Sequence, residues 1–171
     1  MPSVDKVREI KAFALFGDTL FHPALWHLNR RSAAGGVAAG LFCGLIPGPL
    51  QMLGAAICAL VFRVNLPLAL ATTLYTNPVT IVPLYLVGYE LGAFVLGATA
   101  GKTIPPAPDW DWLHPATSVE HLGQWAISLG TPLAFGIFLL ASLLALTGYV
   151  VVRLGWSIYL RRAWHARRHK P

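Results

Sequence analysis

A chain of 171 residues that is 56% hydrophobic and only 12% charged departs from a soluble domain, in which roughly a quarter of residues are charged, and reads as an integral membrane protein. The length allows one membrane domain with short tails, and no block of contrasting composition offers a second, water-soluble domain. The net charge of +6 comes from basic flanks beside apolar segments, which favours anionic lipid over nucleic acid as partner.

Residues 1–31 mix charges with Ile10, Phe13, Phe16, Leu20, Phe21, Leu25 and Trp26, the pattern of an amphipathic cytoplasmic or interfacial helix, interrupted at Pro23. The start, Met1 to Glu9, has neither the apolar run nor the small-residue site of a cleaved signal, so the first apolar segment is expected to direct insertion. Arg30 and Arg31 close this segment at headgroup level.

Ser32 to Phe62 is about 30 residues of apolar sequence, longer than one span of roughly 20 and shorter than two with a loop. Pro47, Gly48 and Pro49 break its middle. Two readings fit: a re-entrant helical hairpin with its tip at this break, or one long, tilted and kinked helix. Leu66 to Tyr75 is too short to span and is expected as a half-helix, broken at Asn77-Pro78. Pro83 suits the first turn of the helix that follows, and segment 66–100 ends near one membrane thickness later. Residues 101–131 hold Pro105, Pro106, Pro108, Pro115 and the run Asp109-Trp110-Asp111-Trp112; they are expected as an external loop with interfacial tryptophans and a short helix capped by Ser118. Residues 132–152 form the clearest membrane helix, and 153–171 a basic cytoplasmic tail carrying Arg161 and Arg162.

Orientation follows from the charges. Arg30-Arg31 and the basic tail place both termini in the cytoplasm, so the acidic loop at 101–131 lies outside and an odd number of crossings precedes it. A hairpin plus one crossing meets that condition. The expected fold is therefore an all-α integral membrane bundle, small, with a re-entrant helical hairpin, broken helices and an amphipathic N-terminal helix, multi-pass in a bacterial inner membrane.

Breaks inside membrane-length sequence expose backbone groups that lipid cannot satisfy, so they require a shielded interior. Paired breaks in successive segments point to a binding site. Gln51, Asn65, Asn77, Thr80 and Glu90 are the candidate lining residues, either capping freed backbone or binding a polar group. Glu90 is the one acid inside the apolar segments, and its structural alternative is pairing with Arg63. Arg30, Arg31, Arg161 and Arg162 are candidate contacts to lipid headgroups. No catalytic set is visible: there is no Walker loop, no GxSxG elbow and no paired-carboxylate motif. No cofactor is implied. His114 and His121, near Asp109, Asp111 and Glu120, have no diagnostic metal spacing, and neither His22 with His27 nor His165 with His169 matches HExxH. Cys43 and Cys58 lie in apolar sequence and are expected to remain thiols.

The run Phe42-Cys43-Gly44-Leu45-Ile46-Pro47, with Gln51, Arg63-Val64-Asn65, Asn77-Pro78-Val79-Thr80 and Tyr89-Glu90-Leu91-Gly92, resembles the DUF2062 family of bacterial membrane proteins over roughly residues 25 to 152. The resemblance implies a small inner-membrane protein without a stated activity. In some relatives the domain is joined to a glycosyltransferase-like domain, a hint of envelope lipid or polysaccharide metabolism. The sequence departs from the family at Gln51-Met52, where a threonine commonly follows the glutamine. A looser architectural likeness is to DedA-type proteins with re-entrant loops.

Two functions follow as expectations. In one, the protein transports or handles a lipid or small anionic solute through a polar cavity between the broken segments. In the other, it is a non-catalytic membrane scaffold that recruits a partner enzyme or anionic lipid. A homo-oligomer fits either role.

Overall fold

The computed structural model describes residues 23–48, 50–97 and 104–168, with backbone alone at 23, 24 and 162–168. Residues 1–22 of the expected amphipathic segment 1–31, and Pro49, lie outside these residues, as does the side chain of Arg162. Among the described residues the chain is all helical: α1 Pro23–Trp26, α2 Arg30–Cys43, α3 Leu50–Phe62, α4 Leu66–Thr73, α5 Ile81–Leu96, α6 Pro115–Ser128 and α7 Gly130–Arg168.

Asn29 starts α2, its Oδ1 accepting the Arg31 and Ser32 N–H groups at 3.0 and 2.8 Å, which supplies two of the donors a helix start leaves unpaired. Along α2, Gly36, Gly40 and Gly44 recur every fourth residue and so share one face. α4 lies against that face. A Cβ on Gly36 would strike the Asn65 carbonyl, and one on Gly40 would strike the Ala69 carbonyl and Thr72. The backbone of α2 is thus itself the packing surface, as in small-residue helix contacts in membranes.

Residues 32–62 fold as a helical hairpin, not as one kinked helix. α2 ends at Gly44, the chain turns through Gly48 (φ 72°), and α3 runs back until the Asn65 N–H donates to the Ser32 carbonyl at 3.1 Å. The end of α3 is a Schellman cap: Val64 N–H reaches Ala59 O at 3.0 Å and Arg63 N–H reaches Leu60 O at 3.3 Å. Arg63 itself is left-handed, φ 51°, where glycine is usual. Cys43 of α2 and Cys58 of α3 are free thiols with their sulfurs 3.7 Å apart.

α5 crosses α7 at glycines. A Cβ on Gly92 would overlap the Pro132 carbonyl, and one on Gly136 would overlap the Gly88 carbonyl. Further along α7, Gly148 meets Leu41 and Val37 of α2, and Ser157 accepts a hydrogen bond from Arg30 at 3.1 Å. From Pro132 to Ser157 is about 37 Å at the α-helical rise. α7 is therefore a common spine, with α2 along its second half, α5 along its first, and both breaks between them.

Two apolar cores result. One holds Leu25, Ala39, Cys43, Ala55, Ala59 and Ala69 inside the hairpin and α4. The other gathers Ile81, Tyr85, Leu122, Trp125, Leu129 and Leu133 from α5, α6 and the start of α7. Residues 104–114 fold back onto this second core, where Trp125 Nε1–H donates to Pro105 O at 2.9 Å. The expected cap at Ser118 is not formed. The helix begins earlier, at Pro115, where a missing N–H does no harm, and Ser118 is buried in α6, its hydroxyl accepting the Asp111 N–H at 2.9 Å. α7 continues without a break through the basic residues to Arg168, and it is the one described helix long and apolar enough to cross a membrane, over Gly130–Arg161.

Candidate functional site

The last turn of any helix leaves carbonyl groups without intrahelical partners. At the end of α2 and just beyond it, the carbonyls of Leu41, Gly44 and Leu45 are met by hydroxyls from elsewhere. Tyr75 donates to Leu41 O at 2.9 Å, Thr76 lies 2.5 Å from Gly44 O, and Tyr85 donates to Leu45 O at 2.9 Å. Tyr85 and Thr76 are buried. These bonds knit the hairpin turn to the break after α4 and to the first turns of α5.

The second break is an Asx turn. Asn77 Oδ1 accepts the N–H groups of Val79 and Thr80 at 3.0 and 3.1 Å, a local substitute for helix bonding at an Asn-Pro step. The Thr80 hydroxyl donates to Tyr75 O at 2.8 Å and so bridges the break. Thr76 also lies 2.7 Å from Gln51 Oε1 and 3.0 Å from Thr73 O. A hydroxyl carries a single proton. The Gln51 amide, whose orientation is set by its partners, meets Thr76 with one of its groups and leaves the other toward the adjoining space.

That space is a cavity of about 120 Å³ lined by Gly48, Gln51, Thr76, Asn77, Pro78 and Ile81, and closed by Trp110, Val119 and Leu122. It has room for about four waters at roughly 30 Å³ each. Three observations describe its electrostatics. The Trp110 Nε1–H is buried and has no hydrogen-bond partner. Asn77, with its oxygen engaged by the turn, has its amide N–H groups left to offer. The N-terminal ends of α3, at Gly48 and Gln51, and of α5, at Ile81, both border the cavity and present the positive ends of their dipoles. No acid lines it. Asp109 and Asp111 flank Trp110 in sequence but are exposed. Asp111 pairs with His114, Oδ2 to Nδ1 at 2.8 Å, and this contact, with the Leu113 N–H, holds its carboxyl below the usual carboxylate range.

Of the residues expected to line a shared cavity, Gln51 and Asn77 do, together with the breakers Gly48 and Pro78. Pro47 shapes the hairpin turn and Pro83 sits in the first turn of α5. The other three stand elsewhere. Asn65 is 2% exposed at the far end of the hairpin, capping α4 through its Oδ1 and the Leu68 N–H at 2.9 Å. Thr80 spans the break without lining the cavity. Glu90 is exposed on α5, about two turns past the cavity, and among the described residues it forms no ion pair with Arg63. Arg30 and Arg161 are exposed.

A family profile described as "Uncharacterized protein conserved in bacteria (DUF2062)" matches residues 13–165. The chain belongs to the DUF2062 family. The match extends beyond residues 25 to 152 on both sides, taking in part of the amphipathic segment and of the basic end of α7. No curated protein and no solved structure matches. Within this DUF2062 chain, sequence reasoning missed Trp110 as a cavity residue and Tyr75 and Tyr85 as hydroxyl caps. The tryptophan sits in a proline-rich stretch that reads as a solvated loop, and nothing local signals that the stretch folds back by the length of α6.

Proposed function

We propose that this protein is a multi-pass inner-membrane protein that receives an anionic, oxygen-rich group, a phosphate-bearing lipid head or a small oxyanion, in the cavity between its two breaks. The observation that carries this is a cavity bordered by two helix N-termini, with no acid among its described lining residues and with Trp110, whose buried Nε1–H lacks a hydrogen-bond partner, in its wall. A buried donor without a partner costs about 1–3 kcal/mol, and an acceptor ligand removes that cost.

The membrane setting draws support from surface chemistry. Leu53, Ile57 and Val61 on α3, Val87 and Phe94 on α5, and Phe138, Leu146 and Val151 on α7 are all exposed, a spread of apolar surface far beyond the scattered residues of a soluble monomer. In that setting α2 and α3 form a re-entrant hairpin from the cytoplasmic side, and α6 with residues 104–114 folds in from the other. The cavity then lies near mid-depth, opposite the stretch of α7 between Gly136 and Gly148, as substrate sites between broken helices do in transporters.

The test is lipid exchange between leaflets. Vesicles containing the full chain and a fluorescent phosphatidylglycerol are treated with dithionite, which bleaches outer-leaflet label alone. Equilibration faster than in protein-free vesicles, and about tenfold slower with Trp110→Phe, is expected from loss of one charge-assisted hydrogen bond. Rates identical to protein-free vesicles, with inorganic phosphate also failing to protect Trp110 fluorescence from quenching, would sink the reading.

The scaffold reading is favoured by one feature, the helical continuation of α7 to Arg168. Deleting residues 161–171 separates the two: complementation of a deletion strain survives if the cavity carries function and fails if the basic extension does.

A further inference from the structure

A second hollow, of about 610 Å³, opens between the hairpin and α7, within the range of roughly 300–1,000 Å³ usual for small-ligand sites. Its walls are almost wholly apolar, from Ala38 and Phe42 of α2, Cys58 and Phe62 of α3, and Ala145 of α7, while Arg31 and Tyr149 stand on its border. It is separate from the cavity at the breaks and shares no lining residue with it.

Its rim is basic and, among the described residues, lacks counter-charge. Arg31 lines it directly. Arg153 lies over the wall residue Tyr149, its guanidinium carbon 5.5 Å from the ring centroid and Nη1 3.1 Å from the hydroxyl. Arg63 falls between Phe62 and Val64, both of which line the hollow. Between Asp18 and Glu90 the sequence holds no acid, and none follows Glu120. Among the described residues none of these arginines is in an ion pair. Arg63 adds an independent sign. It occupies a left-handed position, φ 51°, that glycine would fill without strain, so an arginine stands here against the backbone preference.

We propose that this hollow holds one membrane lipid with an anionic headgroup, its acyl chain between α2, α3 and α7 and its phosphate on the Arg31, Arg63 and Arg153 rim. Charge complementarity selects the occupant: an apolar trough ending on arginines matches an acyl chain ending on a phosphate. The inference rests on the bundle being embedded in a membrane, but not on the break cavity binding anything.

The experiment is native mass spectrometry of the full chain released from phosphatidylcholine vesicles doped with phosphatidylglycerol, paired with alkylation of Cys58, which lines the hollow. The expected result is one retained phosphatidylglycerol per chain and protection of Cys58 that is absent in lipid-free detergent. Arg31→Gln with Arg153→Gln should reduce the preference for phosphatidylglycerol over phosphatidylcholine about tenfold. Ala38→Trp, which fills the hollow and leaves the charge unchanged, should abolish retention of both lipids. Equal retention of the two lipids by the native chain overturns the proposal. So does a chain dimer in place of the lipid-bound monomer, which assigns the hollow to a second copy, or Cys58 protection in lipid-free detergent, which assigns it to another segment of the same chain. Release of the chain from membranes by alkaline carbonate overturns the membrane reading itself, whereas a carbonate-resistant chain that retains no phosphatidylglycerol overturns this proposal alone.

Discussion

The two halves of the molecule solve helix packing differently. In the hairpin and α4, the contact surface is backbone: the glycine face of α2 accepts the Asn65 and Ala69 carbonyls, and half of the core is alanine. In the second half, α5 still meets α7 through glycine backbone at Gly88 and Gly92, but toward α6 and the folded-back loop its contact surface is rings. Tyr85 stacks on Trp125 with centroids 6.5 Å apart and planes 8° from parallel, and each ring sends a polar tip to a carbonyl. Backbone packing gives close helices with no slack, whereas ring packing bridges gaps and can reach from a loop into a cavity, as Trp110 does. The difference explains why the polar space forms where the two styles meet.

The comparison can be broken most forcefully where α5 meets α7. Gly136→Leu sets a side chain against the Gly88 carbonyl and should cost about 3 kcal/mol or more; loss of a monodisperse peak in detergent is the expected readout. Next comes the joint between the halves. Thr76→Val keeps the shape, removes the hydroxyl at Gly44 O and leaves a buried carbonyl unmet, at about 1–3 kcal/mol. Tyr85→Phe does the same at Leu45 O. Both should lower the thermal midpoint while sparing helix content, and a midpoint unchanged by either would show that the hydroxyl bonds do not hold the halves together. Arg63→Gly has the opposite sign. Relief of the left-handed arginine should stabilise the hairpin by about 1 kcal/mol, seen as a raised midpoint, even as it weakens the basic rim.

The smallest effect lies outside the bundle, at Asp111. Its carboxyl is held low chiefly by His114 and also by the Leu113 N–H. A lowered folded pKa means that the contribution is present above the unfolded value and is lost as pH falls through the folded one. Hydrogen exchange at the Leu113 amide should therefore quicken only in acid, below the ordinary carboxylate range, and Asp111→Asn should remove that pH dependence.

Much of this was legible in the chain. Pro47-Gly48 and Asn77-Pro78 mark the breaks because no helix can run through them with its bonds intact, and the long apolar run after Thr131 marks the one described helix long and apolar enough to cross a membrane. The length of 32–62 left hairpin and kinked helix open, and the glycine face of α2, visible as Gly36, Gly40 and Gly44, argues for the hairpin only once α4 is known to pack on it. Site residues were harder. Asn65 and Asn77 both precede or sit near a proline, and local chemistry cannot tell a buried cap from a cavity wall. Glu90 drew attention as a lone acid, yet helical phase turns it outward.

The hydroxyl joint also has a consequence for biogenesis. The carbonyls of Leu41, Gly44 and Leu45, at the end of α2 and just beyond it, find their partners 34, 32 and 40 residues later in the chain. A ribosome delivers α2 well before those hydroxyls exist, so in the membrane setting proposed above the hairpin tip has, during insertion, open backbone groups that lipid cannot satisfy. Its shelter in that interval must come from the insertion machinery or from water, and arrest of synthesis before Tyr75 should leave a tip that is still hydrated.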